Sequence, residues 1–457
     1  MYAPLSWSSS DPSIVALNDR QQPTAQGVSA YARGVGSATL TVISGSKSAS
    51  VSVVVRAPGP VATITLTPVR SVALGSTLQI IVAQRDSDGV ALTTTMPTFL
   101  SSDSTILRVS ATGLMTALAE GSATVSATNN GKIGSATISV TAGARAFVWT
   151  ALAGMIDLGV LPGFAVSKAT AVSAMGHIAG TMMTADASLS HAFVRAPGVT
   201  GAMRDLGALT DGGQSGALGV NGVGQVVGYA TTAADVKRAA LWSASGDIQD
   251  LGTLPGDLES EARAINDAGQ VVGWSGRGGN TQSFLWTAAE GMRRIPGTEN
   301  GGAFAINSTG MVAGQSRDRP FVWSASLGLR SLPMIEDHDT GSAFALNNLG
   351  EAVGVSIGCD ELTNYYGDCY QPSEYPLLWP ATGGFVELKT AGFGPGPGVR
   401  VSGINRSGQM AGVGAGGRAL LWDAGSSRDL GVLPNRIQST ATAINDLGQV
   451  VGWSGNP

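Results

Sequence analysis

The stretch INDAGQVVGWSG at residues 265–276 returns as INDLGQVVGWSG at 444–455. Looser copies occur elsewhere, each with Asn or Ser, then Gly three residues later, then a mostly apolar run that ends in a second Gly. The second glycines of the seven copies are residues 180, 228, 273, 314, 354, 412 and 452. Successive copies lie 40–58 residues apart, which indicates one structural unit repeated along the chain.

Each part of the repeat has a physical role in a β-sheet. Asn followed three residues later by Gly predicts a tight hairpin turn, because Asn caps such turns and Gly takes the positive φ that they require. The run QVVG (270–273) predicts the return strand, with its Gly where neighbouring sheets crowd. SFLW (283–286) predicts a third strand whose Trp can pack between sheets, and DLG (250–252) predicts a fourth. Four strands in a repeat of this length are typical of a β-propeller blade.

The two ends of the repeat region are complementary. It opens with a Trp strand and IDLG (145–159), which is half a blade, and it finishes with an Asn-Gly hairpin (440–455), the other half. Joining the halves closes a ring without a free sheet edge. We therefore expect residues 144–457 to form a seven-bladed β-propeller.

Three phrases of this region carry a family resemblance: HAFVRA (191–196), RDLGALTDGG (204–213) and AINDAGQVVGWS (264–275). They resemble the extracellular HAF-type repeat of bacterial proteins, over about residues 144–457. The resemblance implies an exported repeat protein, and it assigns no catalytic residue.

The first part of the chain contains a different repeat. WSSSDPSIVAL (7–17) is similar to FLSSDSTILRV (99–109), and GSAT at 36–39 recurs at 121–124. The pattern resembles the bacterial Ig-like domain of group 2, which implies two β-sandwiches, at residues 1–56 and 60–142. The first copy lacks the leading segment that begins VATITL (61–66) in the second. We therefore expect the first domain to be truncated, with a signal peptide upstream of Met1.

Composition supports an all-β protein and excludes some partners. The chain has 64 glycines in 457 residues and 13% charged residues, so it is rich in turns and weakly charged. Its net charge is -5 and no basic cluster occurs, which argues against nucleic acid as a partner. No apolar run approaches the ~20 residues of a membrane span. We expect no cofactor and no metal site, with calcium as a weak alternative.

Acidic residues are concentrated in the loops that follow the DLG strands. These loops are expected on the face over the central channel, where an acidic rim can attract cations or bind sugar hydroxyls. Ordinary solubilising charge is the alternative, and His338 lies within one acidic loop, where a metal site is less favoured than a solvated loop. The residues are Asp211, Asp257, Glu259, Glu261, Glu299, Glu336, Asp337 and Asp339.

The longest insertion, residues 355–376, accounts for the 58-residue spacing. It contains Cys359 and Cys369, which we expect to form a local disulfide in an oxidising compartment. Amphipathic tyrosines on a pinned loop suit a carbohydrate or protein surface; the alternative is an insertion that covers one blade. The tyrosines of this segment are Tyr365, Tyr366, Tyr370 and Tyr375.

GVSIG (354–358) fits the G-x-S-x-G pattern of serine hydrolases, but Gly-x-Ser recurs at strand ends of this repeat, so we expect no enzyme. The sequence favours an extracellular or cell-surface binding or adhesion protein, whose Ig-like spacers present a propeller to a glycan or surface protein. One alternative is a propeller glycosidase or lyase, which needs two carboxylates roughly 5–10 Å apart across the channel. Another is a scaffold or stalk without a specific ligand.

Overall fold

A computed structural model describes residues 5–18, 28–67, 71–93, 95–141, 143–198, 201–358, 373–388 and 398–456. Their regular secondary structure consists of β-strands, with no helix among the described residues. The all-β prediction is therefore confirmed. The chain divides into two compact units, one of residues 1–70, 77–116 and 122–138, the other of residues 71–76, 117–121 and 139–457.

The N-terminal part contains two related sets of strands. In the first set, β1, β4 and β5 form one antiparallel sheet and β2 pairs with β3. In the second, the sheets have the orders β10-β13-β14-β7, β11-β12-β8 and β6-β9. The strands are β1 (Ser6–Ser9), β2 (Val15–Leu17), β3 (Ala30–Ala32), β4 (Gly36–Ser44), β5 (Lys47–Val55), β6 (Thr63–Leu66), β7 (Ser71–Ala73), β8 (Thr77–Gln79), β9 (Val82–Arg85), β10 (Thr98–Ser101), β11 (Leu107–Val109), β12 (Leu114–Ala117), β13 (Gly121–Asn129) and β14 (Lys132–Thr141).

The repeated SSD motif is the same turn in both copies. Asp11 Oδ1 accepts hydrogen bonds from the amide and hydroxyl of Ser13, and Asp103 Oδ1 accepts the same two bonds from Thr105. These bonds hold the pKa of Asp11 and Asp103 below the usual value, and the bond from the hydroxyl has the larger effect. The motif is therefore an Asx turn that follows a strand, which explains its recurrence.

The two copies bury different amounts of apolar surface. In the second copy Leu107 of β11 and Val125 of β13 are fully buried, and Val125 belongs to the face of β13 that alternation directs to the core. In the first copy Val51 and Val54 of β5 remain 59% and 58% exposed. The described part of the first copy therefore has the smaller core.

The repeat region folds into seven four-stranded antiparallel sheets. Sheets 1 to 6 each use four consecutive strands, and sheet 7 combines the first two strands of the region with its last two. Sheet 1 is β17 (Val166–Val172), β18 (Ile178–Met183), β19 (Ser190–Arg195) and β20 (Met203–Asp205). Sheet 2 is β21 (Ser215–Val220), β22 (Val226–Thr231), β23 (Lys237–Trp242) and β24 (Ile248–Asp250). Sheet 3 is β25 (Glu259–Ile265), β26 (Val271–Arg277), β27 (Asn280–Thr287) and β28 (Gly291–Arg294). Sheet 4 is β29 (Gly302–Ile306), β30 (Val312–Ser316), β31 (Arg319–Ser324) and β32 (Gly328–Ser331). Sheet 5 is β33 (Thr340–Leu346), β34 (Ala352–Gly358), β35 (Ser373–Trp379) and β36 (Val386–Glu387). Sheet 6 is β37 (Arg400–Ile404), β38 (Met410–Gly414), β39 (Arg418–Asp423) and β40 (Ser426–Asp429). Sheet 7 is β15 (Arg145–Thr150), β16 (Gly154–Gly159), β41 (Gln438–Ile444) and β42 (Val450–Gly455).

Sheet 7 joins the two ends of the region as the sequence predicts. Phe147 of β15 lies opposite Gly452 of β42, and Arg145 lies opposite Ser454. Thr442 of this sheet donates a hydrogen bond of 2.9 Å to the carbonyl of Ala169 in sheet 1. The last sheet therefore contacts the first.

The Asn of the repeated turn links each sheet to the next. Its Oδ1 caps its own turn, and its Nδ2 donates to the carbonyl of the corresponding residue in the following sheet, at 2.9–3.3 Å. The turns or strand ends of all seven sheets line one cavity of about 210 Å³. The donors, in order, are Asn221, Asn266, Asn307, Asn347, Asn405 and Asn445, and the last of them donates to Ser173.

One link of this series differs, because sheet 1 has Ser173 at the turn position. The Ser173 hydroxyl accepts a hydrogen bond of 3.0 Å from the amide of His177, so it caps its own turn as Asn does elsewhere. Ser has no second donor that could reach the carbonyl of Asn221. The link from sheet 1 to sheet 2 therefore lacks the hydrogen bond found at the other turns.

We expect Ser173→Asn to raise the free energy of unfolding by about 0.5–1.5 kcal/mol, because it supplies this missing hydrogen bond. Chemical denaturation of the full chain measures the change. Ser308→Asn, an exposed turn residue in sheet 4, is the control and should change stability by less than about 0.5 kcal/mol. A Ser173→Asn protein no more stable than the parent would contradict the role given to the Asn series.

The Trp of the third strand packs between neighbouring sheets, as predicted. Trp242 of sheet 2 is fully buried in a cluster with Leu206, which follows β20 of sheet 1, and its Nε1 donates to the Leu206 carbonyl at 2.9 Å. Trp379 of sheet 5 donates in the same way to the carbonyl of Pro333. The apolar cores of this unit therefore lie between the sheets.

Candidate ligand-binding cavity

One edge strand of each of the seven sheets lines a cavity with a volume of about 570 Å³. We call these the first strands: β17, β21, β25, β29, β33, β37 and β41. Each of these strands has a β-bulge at the third residue before the turn position, where the register of pairing with the second strand shifts. A bulge adds an unpaired residue and redirects its side chain. The bulge residues are Thr170, Leu218, Arg263, Phe304, Phe344, Ser402 and Thr442, and all of them line the cavity.

The repeat glycine at the end of the apolar run makes room for this bulge. A Cβ atom on Gly273 would lie 1.9 Å from the carbonyl oxygen of Glu261 and 2.9 Å from the Cα atom of Ala262. The equivalent Gly452 would clash in the same way with the Thr440 carbonyl. The close contact at these glycines is therefore with the partner strand of the same sheet, and the prediction that sheets crowd against one another there is wrong.

The cavity wall is aromatic and cationic across sheets 3 to 6. The Phe304 and Phe344 ring centroids are 5.9 Å apart. The guanidinium carbon of Arg263 lies 5.8 Å from the Phe304 centroid, and that of Arg400 lies 5.0 Å from the Phe344 centroid. We call these four residues the Arg-Phe row. Cations over aromatic faces are attracted by the ring quadrupole, so each ring holds one guanidinium beside it.

A buried carboxylate holds one end of this row in place. Glu261 is 4% exposed, its Oε2 accepts a hydrogen bond of 2.9 Å from Lys237, and its Oε1 lies 2.6 Å from Arg263 Nε. Trp274 Nε1 also donates to it, at 3.3 Å. A buried charge needs such partners, since an unpaired one is costly. Glu261 thus fixes the position of Arg263.

Two more aromatic residues, on β42 of sheet 7 and β22 of sheet 2, each lie beside a lysine. Lys168 Nζ lies 4.5 Å from the Trp453 ring centroid, and Lys237 Nζ lies 4.4 Å from that of Tyr229. Trp453, Tyr229 and Trp274 all follow the second glycine of the repeat directly. Two positions of the repeat thus carry the aromatic and cationic groups: the bulge residue and the residue after the second glycine. Neither was predicted, although an alignment of the seven copies identifies both.

The residues of the predicted acidic rim lie in several different environments. Glu336, Asp337, Asp339 and Glu259 are exposed, and Asp257 accepts a hydrogen bond of 2.7 Å from Ser275. Glu299 pairs with Arg317 and Arg294, and the hydrogen bond and charge of Arg317 hold the pKa of Glu299 below its usual value. No acidic side chain lines the 570 Å³ cavity within the described residues, and these contain no group of three His, Cys, Asp or Glu suited to a metal ion.

Two of the predicted site residues, His338 and Tyr375, are brought together. Their ring centroids are 4.7 Å apart, and His338 Nδ1 lies 2.9 Å from the hydroxyl oxygen of Ser356. The other members of the insertion proposed for recognition, Tyr365, Tyr366, Tyr370, Cys359 and Cys369, lie outside the described residues. The contact joins the acidic loop of His338 to sheet 5.

The Gly-x-Ser motifs anchor loops to the second strands. Ser275 and Ser454 accept hydrogen bonds from the amides of Leu254 and Leu433, at 3.0 and 3.1 Å. Ser356 takes the equivalent place in sheet 5, is fully buried within β34, and contacts His338 instead. A nucleophile elbow needs an exposed serine at a strand-to-helix turn, so Ser356 lacks that geometry.

The segment that carries strands β6 to β14 matches a known domain family in sequence. Residues 60–140 match the bacterial Ig-like domain, group 2. This family match confirms the predicted resemblance for the second N-terminal copy. No curated protein sequence matches the chain.

Several solved structures are similar to parts of the chain. Domains 4 and 5 of the S-layer protein SbsC match at 21% identity and a TM-score of 0.19, over 30% of this chain and 70% of that one. Virginiamycin B lyase from Staphylococcus aureus matches at 12% identity and a TM-score of 0.40, over 63% of this chain and 94% of that one. A puromycin hydrolase matches at 11% identity and a TM-score of 0.39, over 82% and 54%.

Proposed function

We propose that residues 144–457 form a seven-bladed β-propeller of the HAF-repeat kind, and that Ig-like domains present it outside a bacterial cell. Seven similar sheets that contact one another in sequence, with the last contacting the first, support the propeller. The family match at residues 60–140 supports an extracellular or surface location. None of the described residues forms a helix able to cross a bilayer.

The propeller, in this proposal, is a binding module for an extracellular glycan or surface protein. The supporting observation is the 570 Å³ cavity, toward which the bulge residue of each first strand projects. Ligand pockets of proteins have this size and combine apolar walls with a few polar groups. The alternative of a glycosidase or lyase needs facing carboxylates, and the described cavity wall offers arginines and phenylalanines instead.

Thermal unfolding of the full chain with neutral and acidic polysaccharides, and separately with calcium or EDTA, tests this proposal. A ligand of the native state raises the melting temperature by mass action. We expect a polysaccharide to raise it by a few degrees, and Ser402→Trp, which places an indole in the cavity, to abolish the shift. The double variant Tyr365→Ala, Tyr366→Ala should retain the shift.

Loss of the shift in the double tyrosine variant alone would place the site on the predicted insertion instead. If no polysaccharide raises the melting temperature, glycan binding is contradicted, which leaves a protein partner or the scaffold alternative. A rise in melting temperature with calcium alone would support a cation site in the acidic loops.

A further inference from the structure

The Arg-Phe row is accessible although it is well packed. Phe304 and Phe344 are half-buried, and the side chains of Arg263 and Arg400 are 39% and 48% exposed. A stack that served only stability would bury its rings. The row therefore presents both aromatic surface and cationic groups to whatever enters the cavity.

The charge around the row is opposite in sign to that of the whole chain, whose net charge is -5. Arg400 pairs with Glu374 at 3.3 Å, and Glu261 is shared between Lys237 and Arg263. Cations thus exceed carboxylates here, which favours an anionic ligand.

The guanidinium of Arg263 retains donors for such a ligand. Glu261 pairs with it at Nε, and among the described residues no hydrogen bond or ion pair engages its two Nη groups, while the side chain is 39% exposed and lines the cavity. A guanidinium fork matches a planar carboxylate or the oxygens of a sulfate in two parallel hydrogen bonds. Because Glu261 already fixes the Arg263 side chain, binding costs little further side-chain entropy.

The rest of the wall suits a sugar ring. Arg263 and Arg400 each cover part of one ring, and the exposed part of Phe304 and Phe344 remains for contact with positively polarised C–H groups, which line the faces of a saccharide ring. The hydroxyls of Thr170 and Thr442 donate to backbone carbonyls and keep lone pairs that can accept from sugar hydroxyls. One side of the cavity is thus aromatic and cationic, and the other carries hydroxyls.

We propose that the cavity binds an anionic saccharide, whose ring packs on Phe304 and Phe344 and whose carboxylate or sulfate is held by Arg263 and Arg400. This proposal rests on the binding function proposed above. Uronic acids and sulfated sugars share the required chemistry, a saccharide ring with a charged oxygen-bearing substituent.

Calorimetric titration of the full chain with two matched pairs of probes tests the proposal. One pair is an oligogalacturonate and its carboxyl-reduced form, and the other is a sulfated polysaccharide and its desulfated form. We expect one anionic member to bind at least about 10-fold more tightly than its neutral partner, and Arg263→Gln to weaken that binding about 10- to 100-fold. Arg400→Gln, at an exposed residue, should act in the same direction.

Arg428→Gln is the matched control, because Arg428 stacks on Trp149 at 5.1 Å and lies outside the cavity wall. It should leave the affinity within about twofold, in line with the small effect of substitutions away from the site. The pair that binds tells carboxylate from sulfate as the charged group.

Three results would overturn the proposal. If the neutral members bind as tightly as the anionic ones, the anionic ligand is wrong while the glycan-binding function stands. If Arg263→Gln and Arg400→Gln, with unchanged melting temperatures, bind the anionic probe as the parent does, the site is wrong. If none of the probes binds, this inference fails, and the thermal-unfolding test with neutral and acidic polysaccharides decides separately whether glycan binding stands.

Discussion

Replacing Gly273 with alanine is expected to lower the free energy of unfolding by about 3 kcal/mol or more. The new Cβ atom would lie 1.9 Å from the Glu261 carbonyl oxygen, which is backbone and cannot rotate away. Relief requires moving the bulge of β25, and this movement also displaces Arg263 from the cavity wall. Equilibrium denaturation of the full chain, followed by intrinsic Trp fluorescence, measures the loss.

Gly302→Ala is the matched control for this prediction. It also lies in a strand beside the cavity, but its Cβ atom would meet only side-chain atoms, at 3.3 Å from Phe304 and 3.4 Å from Trp274. We expect it to cost less than about 1 kcal/mol, since side chains adjust by small shifts. Equal losses for the two variants would show that the bulge does not need glycine opposite it.

Replacing Asn266 with alanine is expected to cost about 2–3 kcal/mol, because it removes several hydrogen bonds from a nearly buried side chain. Nδ2 donates to the Asn307 carbonyl at 3.0 Å and to Gln270 Oε1 at 2.8 Å. Oδ1 accepts from the amides of Ala268 and Gln270. Thermal and chemical unfolding of the full chain both report the change.

Asn266→Ser separates the two halves of this role. It reproduces the situation of Ser173, whose hydroxyl caps the turn without reaching the next sheet. We expect roughly half of the alanine loss, since the capping acceptor remains while the link to Asn307 is lost. If Asn266→Ser is as destabilising as Asn266→Ala, capping by a hydroxyl contributes nothing at this turn.

Much of the architecture could be predicted because the sequence repeats it. The Asn-Gly turn, the return strand and the Trp strand each follow from local rules. Because the pattern occurs seven times, it can be recognised despite exceptions such as Ser173. The second hydrogen bond of each Asn could not be predicted in the same way. Five of these bonds join residues 40–58 positions apart, as from Asn266 to Asn307, and the bond from Asn445 to Ser173 spans 272 positions. Each depends on how two sheets approach each other.

The candidate site was predictable only in part, because its residues are set by bulges. Regular alternation along β25 would direct Arg263 and Glu261 to the same face of the strand, yet the bulge turns Arg263 into the cavity while Glu261 is buried. Sequence reasoning grouped Glu261 with exposed loop acids, since its place inside a strand has no local signal. The predicted insertion with Tyr365, Tyr366 and Tyr370 stays a prediction, as it lies outside the described residues.

The sequence by itself determined the all-β class, the repeated four-stranded unit and the joining of residues 145–159 with 440–455, because hairpin turns and strand alternation are local properties. Only the tertiary structure decided that the bulge residues of the seven first strands meet in one cavity, and that the wall of this cavity carries Arg263, Phe304, Phe344 and Arg400. Such a wall collects one residue from each distant repeat, so its charge and shape exist only once the sheets have packed.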